Sequence, residues 1–294
     1  MGDKTFCFSV DVDWVRGSEV ALPALYDLCD ELGIRGTFFS VGGFASEYGE
    51  LLAEAVRRGH EVGSHGWEHG LRNYENYGSS PYADQLRWLE LTTGAVEKAT
   101  GVRPHSFRAP NLWVGETTLR VLETLGYTHD SSVPARRYDA GMGQLGHQTR
   151  YFRAPRDPYH PSREHLAVPG DSPVVEVPPS AFVVPMNMSG LRAFGLRPLR
   201  WANRRIRARA DTLVFYVHPA EFVSAEAQAL KADIPRRHRR GIGPQNVELL
   251  RRYLSDVLSL GYTPVRVDQT APGGRTSAAP ARAAQPRAAR GRAG

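Results

Sequence analysis

The sequence predicts an α/β fold with parallel strands, and three observations support this. Apolar β-type runs alternate with stretches of helical character from the start of the chain. Glycines follow several helical stretches at the positions where a helix would stop. Two motifs rich in Asp and His come directly after β-type runs, where the strands would end. A barrel and an open sheet would both fit this pattern.

The predicted elements follow one another in a regular order. Strands are predicted over 5–10, 36–41, 60–63, a short run ending at 107–108, 174–177, 213–217 and 263–267, and helices over 19–32, 47–58, 82–100, 116–125 and 246–260. Between Arg136 and Ser172 this pattern gives way to Gly, Pro, Arg and aromatic residues, which predicts a long ordered insertion loop.

Composition predicts one catalytic domain followed by a short tail. The chain has 294 residues, of which 41% are hydrophobic, enough for one substantial core. Beyond residue 269 it consists mostly of Ala, Arg, Pro and Gly without apolar periodicity. We therefore predict a domain over 1–269 and a disordered tail over 270–294.

The charge distribution argues against nucleic acid as a partner. The formal net charge is +6, but five arginines and no acids follow Asp268, so the preceding body is close to neutral. Cys7 and Cys29 have no metal-site spacing and are predicted to be buried free thiols. The sequence shows no secretory signal pattern and no run of transmembrane length, so we expect a cytoplasmic protein.

The first motif is a pair of carboxylates at the end of the first strand. If the run over 5–10 is a strand, its period of two sends the side chains of Asp11 and Asp13 to the same side of the sheet. Both carboxylates would then face one pocket. An Asp-x-Asp pair at a strand end could instead cap a following helix.

The second motif is a histidine pair. His65 and His69 are four residues apart, so on a helical turn their imidazoles would lie on one face. Two imidazoles and one carboxylate, with a fourth position for water, form the ligand set of a catalytic zinc site, and the second carboxylate would be free to act as a base. Such histidine pairs also occur by chance on amphipathic helices.

Six sequence pieces together resemble the polysaccharide deacetylase superfamily, the NodB-type metal-dependent deacetylases similar to carbohydrate esterase family 4. The pieces stand in family order at Ser9–Asp13, Gly36–Gly42, His65–His69, Phe107–Asn111, Asp130–Ser132 and Tyr216–Pro219. The resemblance implies a distorted (β/α) barrel of the NodB-homology type, with the site at the carboxyl ends of the strands.

The resemblance also implies a role for each polar residue of the motifs. It makes Asp13, His65 and His69 the metal ligands, with zinc as the expected metal and cobalt or nickel as substitutes. Asp11 would be the general base for the attacking water, and the backbone N–H of Asn111 would stabilise the oxyanion.

Three further roles follow from the same resemblance. His218 would protonate the departing amine. Arg108 would hold Asp11 ionised, and Asp130 would do the same for the imidazolium of His218. The sequence departs from the commonest family pattern in two places, because Val12 separates the two aspartates and no tryptophan follows Asp130 closely.

The resulting expectation is a metal-dependent N-deacetylase that removes an acyl group, acetyl by preference, from an amino sugar of a small glycoside, glycoconjugate or lipid-linked intermediate. The alternatives are a deformylase of a lipid-linked amino sugar and an allantoinase-like cyclic amidohydrolase. His65–His69 also fits the motif of inverted zinc proteases, with Glu68 as base. A sugar-binding protein without turnover is the non-enzymatic alternative.

Two arginine clusters suggest a further contact. Arginine is dense over 192–209 and again over 236–240. A basic amphipathic stretch of this kind can dock on an anionic membrane or bind a substrate phosphate. A solvated basic face is the alternative interpretation.

Overall fold

The protein is built around one parallel β-sheet. The computed structural model describes residues 4–13, 17–69, 75–138, 149–224, 241–273 and 275–276. The strands are β1 Thr5–Val12, β2 Thr37–Ser40, β3 Glu61–Ser64, β4 Ser106–Phe107, β5 His129–Asp130, β6 Val175–Glu176, β7 Ala181–Phe182, β8 Val184–Pro185, β9 Thr212–Val217, β10 Thr263–Pro264, β11 Thr270–Ala271 and β12 Arg275–Thr276. The main sheet has eight strands, and β7–β8 and β11–β12 form two separate antiparallel pairs.

Helices connect the strands of the main sheet. They are α1 Ser18–Glu31, α2 Gly42–Glu47, α3 Gly49–Arg57, α4 Tyr82–Thr100, α5 Glu116–Leu125, α6 Met188–Phe194, α7 Leu196–Arg207 and α8 Asn246–Ser259. The five predicted helices match α1, α3, α4, α5 and α8. The short helix α2 and the pair α6 and α7 were not predicted. Helix α7 is amphipathic, with Leu199 and Ile206 on its buried side and arginines on the other, so the sequence did carry a signal for it.

The main sheet curls into a distorted barrel. Its strand order is β10-β1-β2-β3-β4-β5-β6, with β9 on β1, and all of its pairings are parallel. Between β6 and β9 the circuit is completed by single contacts, in which the Ser180 N–H donates to the Val214 carbonyl (3.2 Å) and Asn187 forms a bridge with Tyr216. The expectation of a distorted α/β barrel is therefore confirmed. The alternative of an open sheet does not describe this structure.

Strand β1 is the centre of this barrel. It pairs with β9, β2 and β10, and both of its faces are buried. Phe6, Phe8 and Val10 belong to an outer apolar cluster shared with the helices, whereas Cys7 belongs to an inner cluster with Phe39. A strand covered on both faces accounts for the continuous apolar run in the sequence.

Aromatic residues of the insertion loop anchor it to the body. The Tyr151 hydroxyl donates to the Val114 carbonyl (3.0 Å), and both Tyr151 and Tyr159 are buried. These tyrosines therefore serve the packing of the loop. Residues 139–148 of the predicted insertion lie outside the described residues.

The predictions for the cysteines, the C-terminal tail and membrane-spanning segments can be compared with the structure. Cys7 and Cys29 are free and buried, as predicted. Strands β11 and β12 lie at the start of the predicted tail, while residues 277–294 lie outside the described residues, so the domain boundary and the disorder of the tail stay predictions. Among the described helices, none is both long and apolar enough to cross a bilayer.

Close packing between β2, β3 and β4 depends on Gly63. A Cβ atom on Gly63 would lie 2.7 Å from the Phe39 ring and 2.8 Å from the Ser106 carbonyl oxygen, and the backbone oxygen cannot move aside without distorting the sheet. We expect Gly63→Ala to lower the free energy of unfolding by about 1–3 kcal/mol, the usual effect of overpacking a core. Urea denaturation measures this change in the free energy of unfolding.

Gly94, on helix α4, provides the matched control. A Cβ there would meet nothing within 4 Å. We expect Gly94→Ala to raise the free energy of unfolding by about 0.5–1 kcal/mol, because alanine favours the helix. Equal effects of the two substitutions would contradict this account of the packing at Gly63.

Candidate metal centre

The predicted site residues lie at the carboxyl ends of parallel strands. Asp11 is the penultimate residue of β1 and Asp13 follows that strand. His65 follows β3, Arg108 follows β4, and His218 follows β9. Because these strands are parallel and adjacent, their ends meet at one mouth of the barrel. Segments far apart in the sequence therefore contribute to one site.

The structure brings Asp13, His65 and His69 together. One potential ligand atom from each lies within 4.8 Å of the others. The His69 Nε2 atom is 3.8 Å from the Asp13 Oδ2 atom. The His65 Nδ1 atom lies 2.8 Å from the Arg108 carbonyl oxygen, so Nδ1 carries the proton and Nε2 is left as the electron-pair donor.

The donor set fits a divalent cation. The Asp13 Oδ1 atom is buried and has no hydrogen-bond partner among the described residues. Burial, with a further contribution from the charge of Asp11, raises the pKa of Asp13 to about 7, whereas burial lowers the pKa of His65 to about 4 and that of His69 to about 3. Two neutral imidazoles and a carboxylate with one oxygen that lacks a hydrogen-bond partner are what an N/O metal site requires.

The histidine pair does not lie on a helical turn, so that prediction was wrong. Residues 65–69 form an irregular loop, and Gly66 has a left-handed backbone with φ of 78°. The imidazole rings of His65 and His69 nevertheless lie close, with centroids 5.6 Å apart. A helix would need consecutive right-handed residues, and Gly66 breaks that run.

Glu75 holds this loop in place from the far side of a short gap in the described chain. Its Oε2 atom accepts hydrogen bonds from the Trp67 N–H (2.8 Å) and the Tyr77 hydroxyl (3.1 Å), and its Oε1 atom accepts one from the Glu68 N–H (2.9 Å). Loop amides that have no helical partner are thus satisfied by a buried carboxylate. The backbone between the two imidazoles is fixed as a result.

Asp11 is held by a fully buried arginine. The Arg108 Nη1 atom donates to the Asp11 Oδ1 atom (2.7 Å) and to the Ser9 hydroxyl (2.8 Å), and the other nitrogens of the guanidinium bond to Ser131. Burial by itself raises the pKa of Asp11, but the charge and hydrogen bond of Arg108, together with His65, outweigh it and lower the pKa. Asp11 is therefore an ionised carboxylate at neutral pH.

Glu221, rather than Asp130, lies beside His218. The His218 Nδ1 atom is 3.5 Å from the Glu221 Oε2 atom, and the His218 Nε2 atom is 3.9 Å from the Asp13 Oδ2 atom. Glu221 is buried, and it also receives a hydrogen bond from Ser189 (3.0 Å) and an ion pair from Arg192 (3.4 Å). Burial lowers the pKa of His218, but the nearby carboxylates of Asp13 and Glu221 outweigh it and raise the pKa to about 10.

Asp130 instead belongs to a buried polar network next to the site. It accepts a short hydrogen bond from the Ser132 hydroxyl, and the Ser132 oxygen accepts the Ala109 N–H (2.8 Å). Glu176 pairs with Asp130 across β5 and β6. Burial raises the pKa of both carboxyl groups, so the pair can share one proton. This network positions the backbone after Arg108.

Asn111 lies in a tight turn with unusual backbone angles. Asn111 and Leu112 are both left-handed, with φ of 56° and 57°. Asparagine tolerates this conformation, whereas leucine adopts it rarely, so the turn is strained. Such strain is typical of backbone held in place for a functional site.

Comparisons with known proteins agree with this fold. The family model described as polysaccharide deacetylase matches residues 2–129, so this part of the chain is similar to polysaccharide deacetylases. A candidate polysaccharide deacetylase of Bacillus subtilis, YheN, is 26% identical over 110 residues, which are 37% of this chain and 36% of the relative. The match thus spans about a third of the length of that curated relative.

Solved structures show the same fold over most of the chain. A candidate polysaccharide deacetylase from Mycobacterium smegmatis has a TM-score of 0.64 and 20% identity, covering 90% of this chain and 88% of that one. BA3943, a CE4 family pseudoenzyme from Bacillus anthracis, has a TM-score of 0.54 and 13% identity, covering 90% and 64%. The Bc1960 peptidoglycan N-acetylglucosamine deacetylase has a TM-score of 0.52 and 12% identity, covering 91% and 88%.

Sequence reasoning missed Glu75 and Glu221. Glu221 stands three residues after His218 and follows Pro219, a spacing that allows its carboxylate to reach back to the His218 N–H (3.0 Å). That capping pattern could have identified it. Glu75 gave no comparable signal, because its contact with the histidine loop depends on the path of the chain between them.

Glu68, the base expected of an inverted zinc protease, has an exposed side chain. Its backbone N–H donates to Glu75, and its carboxylate forms no hydrogen bond or ion pair with the described residues of the site. The buried position of Asp11 therefore suits a base better than the position of Glu68.

The role of Glu75 can be tested through metal affinity. In Glu75→Gln an amide N–H₂ would face the backbone donors of the loop, so we expect zinc and cobalt affinity to fall by about tenfold, as for other residues that support metal ligands. Calorimetric titration of each variant with zinc and with cobalt measures this affinity. The matched control is Glu68→Gln, because Glu68 is exposed and lies next to His69 in the same loop. This variant should keep the metal affinity of the original protein. Equal losses of affinity in both variants would contradict the role of Glu75.

Proposed function

We propose that this protein is a metal-dependent hydrolase that removes an N-acyl group, with acetyl favoured, from an amino sugar carried by a small glycoside, glycoconjugate or lipid-linked intermediate. The observation that carries the proposal is the convergence of Asp13, His65 and His69 with Asp11 beside them. We propose zinc as the metal, because its preference for nitrogen and oxygen donors matches the set. When bound, the metal would supply Lewis-acid activation of water and of the amide carbonyl.

Asp11 would take the proton from the attacking water. Its Oδ1 atom is occupied by Arg108 (2.7 Å), so Oδ2 is the oxygen that accepts the proton. The same arginine keeps the carboxylate ionised before the reaction and fixes its orientation. Arg108 has no exposed surface, so this orientation is maintained without competition from solvent.

His218 would donate a proton to the departing amine. Its Nδ1 atom faces Glu221 and its Nε2 atom faces Asp13 at the ligand cluster. The Glu221 carboxylate would fix the tautomer and the ring plane of His218, so that its Nε2–H is directed to the reacting group. In this arrangement Glu221 performs the orienting role that the family resemblance assigns to Asp130.

The backbone N–H of Asn111 is proposed to stabilise the oxygen of the attacked carbonyl. The strained turn at Asn111 and Leu112 follows Ala109, whose N–H is bound by Ser132 (2.8 Å). Fixed backbone donors of this kind act without reorganising during the reaction. Asp130 would contribute indirectly, by holding Ser132.

The comparisons support an amino-sugar substrate, since one neighbour with this fold is a peptidoglycan N-acetylglucosamine deacetylase. Deformylation would use the same groups and differs in the acyl group removed, whereas in cyclic amide hydrolysis the amine stays attached to the acyl product. The pseudoenzyme neighbour shows that the fold also occurs without activity. A substrate panel distinguishes these alternatives.

The proposal is tested by incubating zinc-loaded protein with N-acetyl and N-formyl amino sugars, free, nucleotide-linked and lipid-linked, and with a cyclic amide. Mass spectrometry should show loss of the acyl group from an amino sugar. We expect Asp11→Asn to lower the rate by about a hundredfold or more, the usual contribution of a general base, while zinc remains bound. Glu68→Gln should retain the activity.

Two results would overturn the proposal. Loss of activity in Glu68→Gln with retention in Asp11→Asn would favour the protease-type base. Tight zinc binding with no change in any member of the panel would favour a binding protein without turnover.

The proton-donor assignment makes a separate prediction for Glu221. We expect Glu221→Gln to lower kcat for amides by about tenfold to a hundredfold, with KM little changed, because His218 loses its orienting carboxylate. An activated ester, whose leaving group departs without a proton, should be affected much less. Asp130→Asn is the control: it should affect amide and ester alike, and a selective loss for amides there would favour the assignment of Asp130 instead.

A further inference from the structure

Helix α7 and the β7–β8 hairpin present an exposed face of apolar and arginine side chains. Val183 at the tip of the hairpin is 57% exposed and Trp201 on α7 is 51% exposed. Arg197, Arg204 and Arg205 are exposed on the same helix. We refer to these five residues as the α7 face.

Direct contacts make the α7 face continuous. The rings of Phe182 and Trp201 meet edge to face with centroids 5.0 Å apart, which joins the hairpin to the helix. The guanidinium of Arg205 lies over the Trp201 ring, 5.2 Å from its centroid. The buried side of α7, with Leu199 and Ile206, packs into the core, so the arginine side of the helix is the outer one.

The charge of this region has one sign. Residues 177–210 contain seven arginines and no lysine, aspartate or glutamate. Arg192 and Arg200 pair with Glu221 and Asp256 elsewhere in the fold. Within the part of the chain that the structure describes, no acidic group lies within ion-pair distance of Arg197, Arg204 or Arg205. The second arginine cluster, 236–240, lies outside the described residues.

The hairpin tip carries an apolar side chain where backbone geometry favours glycine. Val183 has φ of 68°, in the left-handed region that β-branched residues rarely adopt. Glycine or asparagine would form this turn with less strain, and a polar residue would suit exposure to water. The strained valine therefore points to a use for an apolar group at this position.

The α7 face is connected to the candidate active site. The Tyr138 N–H donates to the Val183 carbonyl (2.7 Å), and the preceding residue, Arg137, donates to the Tyr216 hydroxyl (2.7 Å). The rings of Tyr216 and His218 lie 5.7 Å apart. A surface bound at the hairpin would thus lie near the mouth of the barrel.

We propose that the α7 face docks on the surface of an anionic phospholipid bilayer. Arginines without acidic partners complement the phosphate and negative headgroups of such a surface. A half-exposed tryptophan and an apolar tip suit the boundary between headgroups and acyl chains. Nucleic acid would also attract the arginines, but it offers nothing for Val183 at the tip. This docking does not depend on the proposed hydrolysis.

Vesicle sedimentation of the full-length protein tests the proposal. Vesicles of phosphatidylcholine alone are compared with vesicles containing roughly one third phosphatidylglycerol, which carry the negative surface potential. We expect binding only to the anionic vesicles, and weaker binding as salt is raised. The double variant Arg204→Ala, Arg205→Ala should weaken the binding by about tenfold or more, given the contribution of each arginine near such a surface. Trp201→Ala should weaken it too.

The matched controls are substitutions on helices α4 and α5, which do not belong to the α7 face. Arg87→Ala with Arg120→Ala removes the same charge from exposed positions, and Leu91→Ala truncates an apolar side chain that is 43% exposed. These variants should bind like the original protein. Thermal unfolding checks that all variants are folded.

The proposal is overturned by any of three results. One is equal binding to both kinds of vesicle, or to neither. Another is an equal loss in the control double variant, which would show that only net charge matters. The third is duplex DNA that binds as tightly as the vesicles and displaces them, which would identify a nucleic-acid surface.

Discussion

The ion pair between Arg108 and Asp11 is the interaction on which the rest of the site depends. A buried guanidinium is strongly unfavourable unless its donors are satisfied. Here Arg108 bonds to Asp11, Ser9 and Ser131, and its plane lies over the Phe39 ring at 4.4 Å. Since these partners lie on β1, on β2 and directly after β5, the barrel must form before the pair can. The fold and the ionised carboxylate of Asp11 are thus linked by one group.

The same buried arginine organises the candidate metal centre through its backbone. The Arg108 carbonyl lies 2.8 Å from the His65 Nδ1 atom, so it fixes the imidazole whose other nitrogen faces the ligand cluster. One residue therefore orients the proposed base, Asp11, with its side chain and the candidate ligand His65 with its main chain. A substitution at Arg108 would disturb both, and its effect could not be assigned to either alone.

Carboxylates that no motif contains complete the site. Glu75 satisfies the amides of the histidine loop, and Glu221 orients His218 from three residues away. Asp130, which the family resemblance places beside His218, supports the Ala109 backbone through Ser132 instead. The family pattern thus identified Asp130 but neither Glu75 nor Glu221, because the partner of each acid is set by local packing.

The sequence by itself determined the parallel α/β architecture and the groups at its strand ends. Alternating apolar runs and glycine helix stops specify strands and helices locally, and the period of two in β1 places Asp11 and Asp13 together without reference to the rest of the chain. The spacing of His65 and His69 identified them as candidate ligands, whereas Arg108 and His218 were identified through the family resemblance of their motifs.

Only the tertiary structure decided how the barrel completes its circuit, how the histidines converge and which acid serves His218. The histidine spacing predicted a helical turn, yet the loop is held by Glu75 and by the left-handed Gly66. These features rest on contacts between residues distant in sequence or on single backbone angles. A pattern of residue types cannot specify them, because the free energy of such contacts depends on what the completed fold brings within reach.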